Sequence, residues 1–115
     1  MLTSVQDVLK TVSPNQRCIS ATQAKVELSN KESLLIDVRE PNEHQQQAVA
    51  HAMNIPRGLL EFKLPNIEKD AQKPIYLHCA TGGRAIFAAE QLTRLGYQDI
   101  SVITCKFAEI YDAFK

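Results

Sequence analysis

The stretch Ile75-Tyr76-Leu77-His78-Cys79-Ala80-Thr81-Gly82-Gly83-Arg84 decides the fold. Pro74 introduces an apolar run that passes directly into a cysteine, and two adjacent glycines then open a helical pattern. A run with little polar alternation suits a strand covered on both faces, the habit of parallel sheets. Beyond the glycines, Ala85, Ala88, Ala89, Leu92 and Leu95 make one apolar stripe at helical spacing. Gly96 then suits a left-handed cap that closes the helix.

The same punctuation continues in both directions. Downstream, residues 100–104 read as a last strand and residues 107–114 as a short closing helix. Upstream, Leu34-Leu35-Ile36-Asp37-Val38 is a second covered strand, broken by one carboxylate. Pro41 fits the first turn of a polar helix running to about Gln47. Ala52-Met53-Asn54-Ile55 is a short strand stopped by Pro56, and the helix after it carries Leu59, Leu60 and Phe62 until Pro65 interrupts or ends it. Cys18-Ile19 reads as a short edge strand, and Ser20 as the N-cap of a helix over residues 21–28. Leu2, Val5, Val8, Leu9 and Val12 have helical spacing and end before Ser13-Pro14-Asn15. Strands alternating with helices imply an α/β fold on a parallel sheet, joined by right-handed crossovers. No repeat or linker divides residues 1–115, so one domain is expected.

Composition excludes several function classes. Thirteen basic side chains balance 13 acidic ones for a net charge of zero, which argues against nucleic acid or an anionic membrane as an electrostatic partner. No apolar stretch approaches a spanning helix, and residues 1–12 lack the basic start and long apolar run of a signal peptide. The expected location is the cytoplasm. Cys18, Cys79 and Cys105 are odd in number and include no Cys-x-x-Cys pair, which excludes a fully paired disulfide framework and a four-cysteine zinc site.

The chemistry concentrates at Cys79. Sites in open α/β sheets lie off the carboxyl ends of the strands, and Cys79 ends one. Of the four glycines in the chain, Gly82 and Gly83 fall within four residues of it. They let the backbone curl so that N–H groups point inward as an anion-binding nest. A helix N-terminus adds further donors, and Arg84 adds a permanent cation. All three favour a thiolate, so Cys79 is read as a nucleophile. A cysteine at a strand end is otherwise a small buried hydrophobe. The spacing decides for reactivity.

These residues resemble the rhodanese family, specifically its single-domain sulfurtransferases. The family's Cys-x-x-Gly-x-Arg loop stands as Cys79-Ala80-Thr81-Gly82-Gly83-Arg84. Its Asp-Val-Arg-Glu-Pro-x-Glu segment stands as Asp37-Val38-Arg39-Glu40-Pro41-Asn42-Glu43, and its Ala-x-Asn-Ile-Pro segment as Ala52-Met53-Asn54-Ile55-Pro56. The resemblance runs from about residue 18 to residue 115, leaving residues 1–17 as an N-terminal helix and connection. It implies a rhodanese-like α/β fold, a five-stranded parallel sheet flanked by helices on both faces. It also implies that Cys79 takes a sulfane sulfur from a small anionic donor such as thiosulfate and passes it to a thiol or protein acceptor. Ala80, Thr81, Gly82, Gly83 and Arg84 would bind the donor, with no metal and no organic cofactor. A monomer or weak dimer is the expected state. Related cysteine phosphatases place five residues between cysteine and arginine; here there are four, a ring better suited to one sulfur than to a phosphate. A persulfide relay with little thiosulfate activity, or a non-catalytic binding module, are the alternatives, and the retained Cys79 argues against the module.

Two segments depart from the family pattern. Gly-His-Ile-Pro-Gly aligns with Gln47-Ala48-Val49-Ala50-His51, so that turn lacks both glycines and the proline. The glycine pair expected after the last strand aligns with Cys105-Lys106, where the Cys105 side chain narrows the pocket, approaches Cys79 as a resolving thiol, or packs beside the last helix. Asp37 and Arg39 should reach the same sheet edge as Cys79 in a supporting role, with Arg39 pairing Glu43 or Asp37. His78 should face away from Cys79. Cys18 is expected to be inert packing, and His44 and His51 to be surface residues.

Overall fold

The computed structural model describes all 115 residues. Five strands form one parallel sheet: β1 (Arg17–Ile19), β2 (Leu34–Asp37), β3 (Met53–Asn54), β4 (Ile75–His78) and β5 (Ile100–Ile103), in the order β1-β5-β4-β2-β3. Six α-helices alternate with them: α1 (Val5–Val12), α2 (Ala21–Asn30), α3 (Pro41–Gln46), α4 (Leu60–Ile67), α5 (Gly83–Leu95) and α6 (Phe107–Ala113). None is long and apolar enough to cross a membrane.

The period of two along the strands divides the core into two layers. Ile36, Val38, Ile75, Leu77 and Cys79 face one layer, closed by Val12 of α1, Leu60 and Leu64 of α4, and Ala85, Ala88, Ala89 and Leu92 of α5. Leu35, Tyr76 and Ile103 face the other, closed by Ala21 and Ala24 of α2 and Ile110 of α6. All four residues of central β4 are buried, as its unalternating sequence demands.

The helix ends follow from local chemistry. The Ser20 hydroxyl accepts the Gln23 amide at 3.1 Å and starts α2. Gly96, with φ of 107°, ends α5 in the left-handed region. Several expectations shift. The first helix begins at Val5 because Ser4 caps it, leaving Leu2 exposed. Leu59 sits in a 3-10 turn (Arg57–Leu59) ahead of α4, and Pro65 lies inside α4 without ending it. Leu60 and Leu64, four apart, take the core face of α4, which turns Phe62 to solvent. The buried stripe of α5 closes at Leu92, and Leu95 is exposed.

Candidate active site

Strand β4 carries the chain to the carboxyl edge of the sheet, where residues 79–82 turn into α5. The Cys79 side chain is only 1% exposed and lies in the layer of α1, α4 and α5. Its Sγ accepts the backbone N–H of Gly82 at 3.1 Å, the one loop amide bonded to the sulfur. Gly82 has φ of 104°, and a Cβ there would stand 3.5 Å from the Thr104 backbone. That contact is an ordinary one; it is the left-handed conformation that calls for glycine. The loop is held to α6 by the Phe107 N–H, which donates to the Ala80 carbonyl at 2.9 Å.

Arg84, in the first turn of α5, does not stand free. Its guanidinium makes a two-pronged ion pair with Glu43 of α3, at 2.8 and 3.1 Å, and the Glu43 Oε1 also accepts the Glu40 amide at 2.9 Å. The hydrogen bond from Arg84 holds the Glu43 carboxyl below its ordinary range, although partial burial works against this. The same bond raises Arg84, with smaller contributions from the charges of Cys79 and Glu40. The resemblance implies Glu43 or Asp37 as the partner of Arg39; the structure pairs Arg39 with Asp37 and gives Glu43 to Arg84, 41 positions away.

Asp37 and Arg39 reach the same sheet edge but on the opposite face. Arg39 Nε donates to both Asp37 oxygens at 3.0 and 3.1 Å, and its terminal nitrogen donates to Asp37 at 2.8 Å and to the Gln47 carbonyl at 2.7 Å. The guanidinium lies 3.8 Å from the centroid of the Phe107 ring. Asn54 clamps the turn by donating to the carbonyls of Asp37 and Arg39, each at 3.0 Å. Burial alone would raise the Asp37 carboxyl, but hydrogen bonds from Arg39 and His44 bring it below its ordinary range. His44 is therefore more than a surface residue, since its Nδ1 lies 2.9 Å from Asp37.

His78 does face away from Cys79. It is fully buried, its ring centroid 6.1 Å from that of Phe107, and neither ring nitrogen has a hydrogen-bond partner. Cys105 packs in the layer of α2 and α6, not the layer of Cys79. Its Sγ accepts the Ala21 amide at 3.3 Å, the start of α2 drawing it to that side. Cys18 is exposed on edge strand β1 and not packed. His51 is exposed, with φ of 67°.

A buried cysteine just past the central strand, a left-handed glycine three residues on, and an arginine in the first turn of the next helix are thus one continuous unit. Residues 20–113 match the rhodanese-like domain family. The chain belongs to that family. It is 35% identical over 97 residues to a Schizosaccharomyces pombe protein named "Putative thiosulfate sulfurtransferase, mitochondrial", a match covering 75% of the chain and 68% of that protein. Other curated relatives are longer, the chain spanning 61% of one and 21% of another. Among solved structures, a rhodanese-related protein from Thermoplasma volcanium is 29% identical with a TM-score of 0.71, covering 86% of this chain and 95% of that one. A Rhodopseudomonas palustris protein described as a possible tyrosine phosphatase superposes with a TM-score of 0.84 over 98% of this chain and 92% of its own. Its 20% identity makes it a likeness of fold alone.

Proposed function

We propose that this rhodanese-family chain is a sulfurtransferase that carries a sulfane sulfur on Cys79, taken from thiosulfate or a related anionic donor and passed to a thiol acceptor. One observation carries the reading: the Cys79 sulfur lies under the N-terminus of α5, in hydrogen-bond contact with the Gly82 amide. An oriented backbone donor and the positive end of a 13-residue helix face the sulfur there.

In the first half-reaction the Cys79 thiolate attacks the outer sulfur of thiosulfate. The sulfur–sulfur bond of the donor breaks, its electron pair leaves with sulfite, and Cys79 becomes a persulfide. In the second, an acceptor thiolate attacks the outer sulfur of that persulfide, and the Cys79 thiolate leaves. Ala80, Thr81, Gly82, Gly83 and Arg84 form the loop that holds the transferred sulfur, with Gly82 as its first donor. Asp37 and Arg39 stay outside this chemistry and brace the adjacent turn. The four residues between Cys79 and Arg84 make a narrow ring, which supports transfer of one sulfur over hydrolysis of a phosphate.

The test is intact-protein mass spectrometry after incubation with thiosulfate, beside the Cys79→Ser variant. A gain of one sulfur atom, absent from the variant and removed by a thiol, is the expected result. No adduct from thiosulfate, thiosulfonate or persulfide donors would overturn the catalytic reading in favour of a binding module.

A further inference from the structure

A site that draws in a dianion by charge would be expected to leave its cation available. Here the loop's cation is engaged. Arg84 presents both terminal nitrogens to the two oxygens of Glu43, at 2.8 and 3.1 Å. The pair is accessible to solvent, with about a third of each side chain exposed (36% and 33%), so it lies at the surface beside the Cys79 loop and is no part of the core. Glu43 is itself fixed, because its Oε1 accepts the Glu40 amide in the first turn of α3. The carboxylate therefore cannot swing away without also giving up that helix-start bond.

Glu40 adds a second acidic charge on the same side, exposed and close enough to act on Arg84. Lys106 supplies a positive charge across the loop, at the start of α6, where the neighbouring Phe107 amide meets Ala80. Two carboxylates, Glu43 and Glu40, thus act on the Arg84 guanidinium, and the Arg39 charge acts on Glu43.

We propose that Glu43 determines donor specificity: by occupying the fork of Arg84, it makes the site discriminate against dianionic sulfur donors relative to monoanionic ones. The inference rests on the sulfurtransferase reading above and names the charge class of its donor. A thiosulfate dianion approaching the Cys79 loop must compete with Glu43 for Arg84 and approach two carboxylates with both its charges. A donor with one charge fewer meets less of that repulsion. Glu43 touches no reacting atom in this account; it acts through Arg84 as a positioning residue.

Thiosulfate and an alkanethiosulfonate make a matched pair of probes. In each, Cys79 attacks a terminal sulfur bound to an oxidised sulfur, and the leaving group is sulfite or a sulfinate. They differ by one unit of charge. The experiment compares kcat and KM for the two donors in the wild-type chain, Glu43→Gln, Arg84→Gln and the double variant, each first checked for native thermal unfolding. Glutamine keeps an oxygen for the Glu40 amide while removing the charge. In Glu43→Gln, KM for thiosulfate should fall about tenfold relative to KM for the thiosulfonate, with kcat little changed, as one nearby unit charge at a protein surface allows. The shift should shrink at high salt, and shrink in the Arg84→Gln background, where only the direct repulsion by Glu43 remains to be relieved. An unchanged donor ratio in folded Glu43→Gln, or an equal loss toward both donors, would overturn the proposal while leaving the sulfurtransferase reading intact. Failure of the wild-type chain to form a persulfide from either donor would remove both.

Discussion

The Gly82 amide stands 3.1 Å from the Cys79 sulfur, and it can do so only because Gly82 adopts a φ of 104°. Gly83, the next residue, has no such constraint: it begins α5, and a Cβ there would make an ordinary 3.5 Å contact with Leu9 of α1. Two adjacent glycines thus have different reasons to be glycine. Gly82→Ala should destabilise the chain by about 1–2 kcal/mol through left-handed strain and should lower persulfide formation by displacing the amide. Gly83→Ala should be neutral or slightly stabilising, since alanine restricts the unfolded chain more than glycine does. Urea unfolding together with the rate of sulfur loading checks both. Equal effects of the two substitutions would contradict the assignment.

His78 yields a pH prediction. Burial pushes its imidazole down to about 4; the charge of Asp37 resists that shift, and those of Arg39 and His44 add to it. The folded value lies below the unfolded one of about 6.5, so the unfolded state binds the extra proton first. Stability from this residue is complete above pH 6.5 and is lost as pH falls toward 4. About 2 kcal/mol should disappear between pH 7 and pH 5. His78→Leu replaces two unpartnered nitrogens with apolar atoms and should flatten this part of the profile. Urea midpoints at the two pH values are the measurement; an identical slope in the variant would refute the assignment.

The sequence made the scaffold and the Cys79 loop legible because each was written in adjacent residues. Unalternating β4, the glycine pair and the apolar stripe of α5 are local patterns, and each reappears in the structure. Partner choice was not legible. Arg84 and Glu43 are 41 positions apart, and only the packing of α3 beside the loop shows that they meet. The side taken by Cys105 was equally hidden, because it depends on the Ala21 amide at the start of a helix more than 80 positions earlier. The missing glycines of segment 47–51 were visible as a departure, but not the solution. His51 takes the left-handed conformation itself, at the place where the family pattern has its second glycine.

That substitution carries a strain which can be relieved. A non-glycine residue in the left-handed region gives up roughly 1 kcal/mol, and His51 is exposed with no hydrogen bond from its side chain to offset it. His51→Gly should therefore raise stability by a few tenths to about 1 kcal/mol, the gain being reduced by the greater freedom of glycine in the unfolded chain. His51→Val should lower it, because β-branching fits that region worst. Thermal unfolding of the two variants tests the order, and a more stable valine variant would show that the turn relaxes to another conformation.

Cys105 supplies the last prediction, which concerns the fate of the persulfide. Its sulfur sits in the layer of α2 and α6 and accepts the Ala21 amide, whereas the Cys79 sulfur sits in the layer of α1, α4 and α5. A disulfide needs Cβ atoms about 3.5–4.5 Å apart and directed toward each other, which two side chains on opposite faces of a sheet do not offer. Cys105 should therefore neither resolve the Cys79 persulfide nor form a disulfide with it. Cys105→Ala should leave sulfur loading and the lifetime of the loaded form unchanged, and should soften the start of α2 by removing the acceptor for Ala21. Mass spectrometry of the oxidised chain under non-reducing conditions is decisive: a Cys79–Cys105 linkage would require residues 104–106 to rearrange and would restore Cys105 to the reaction.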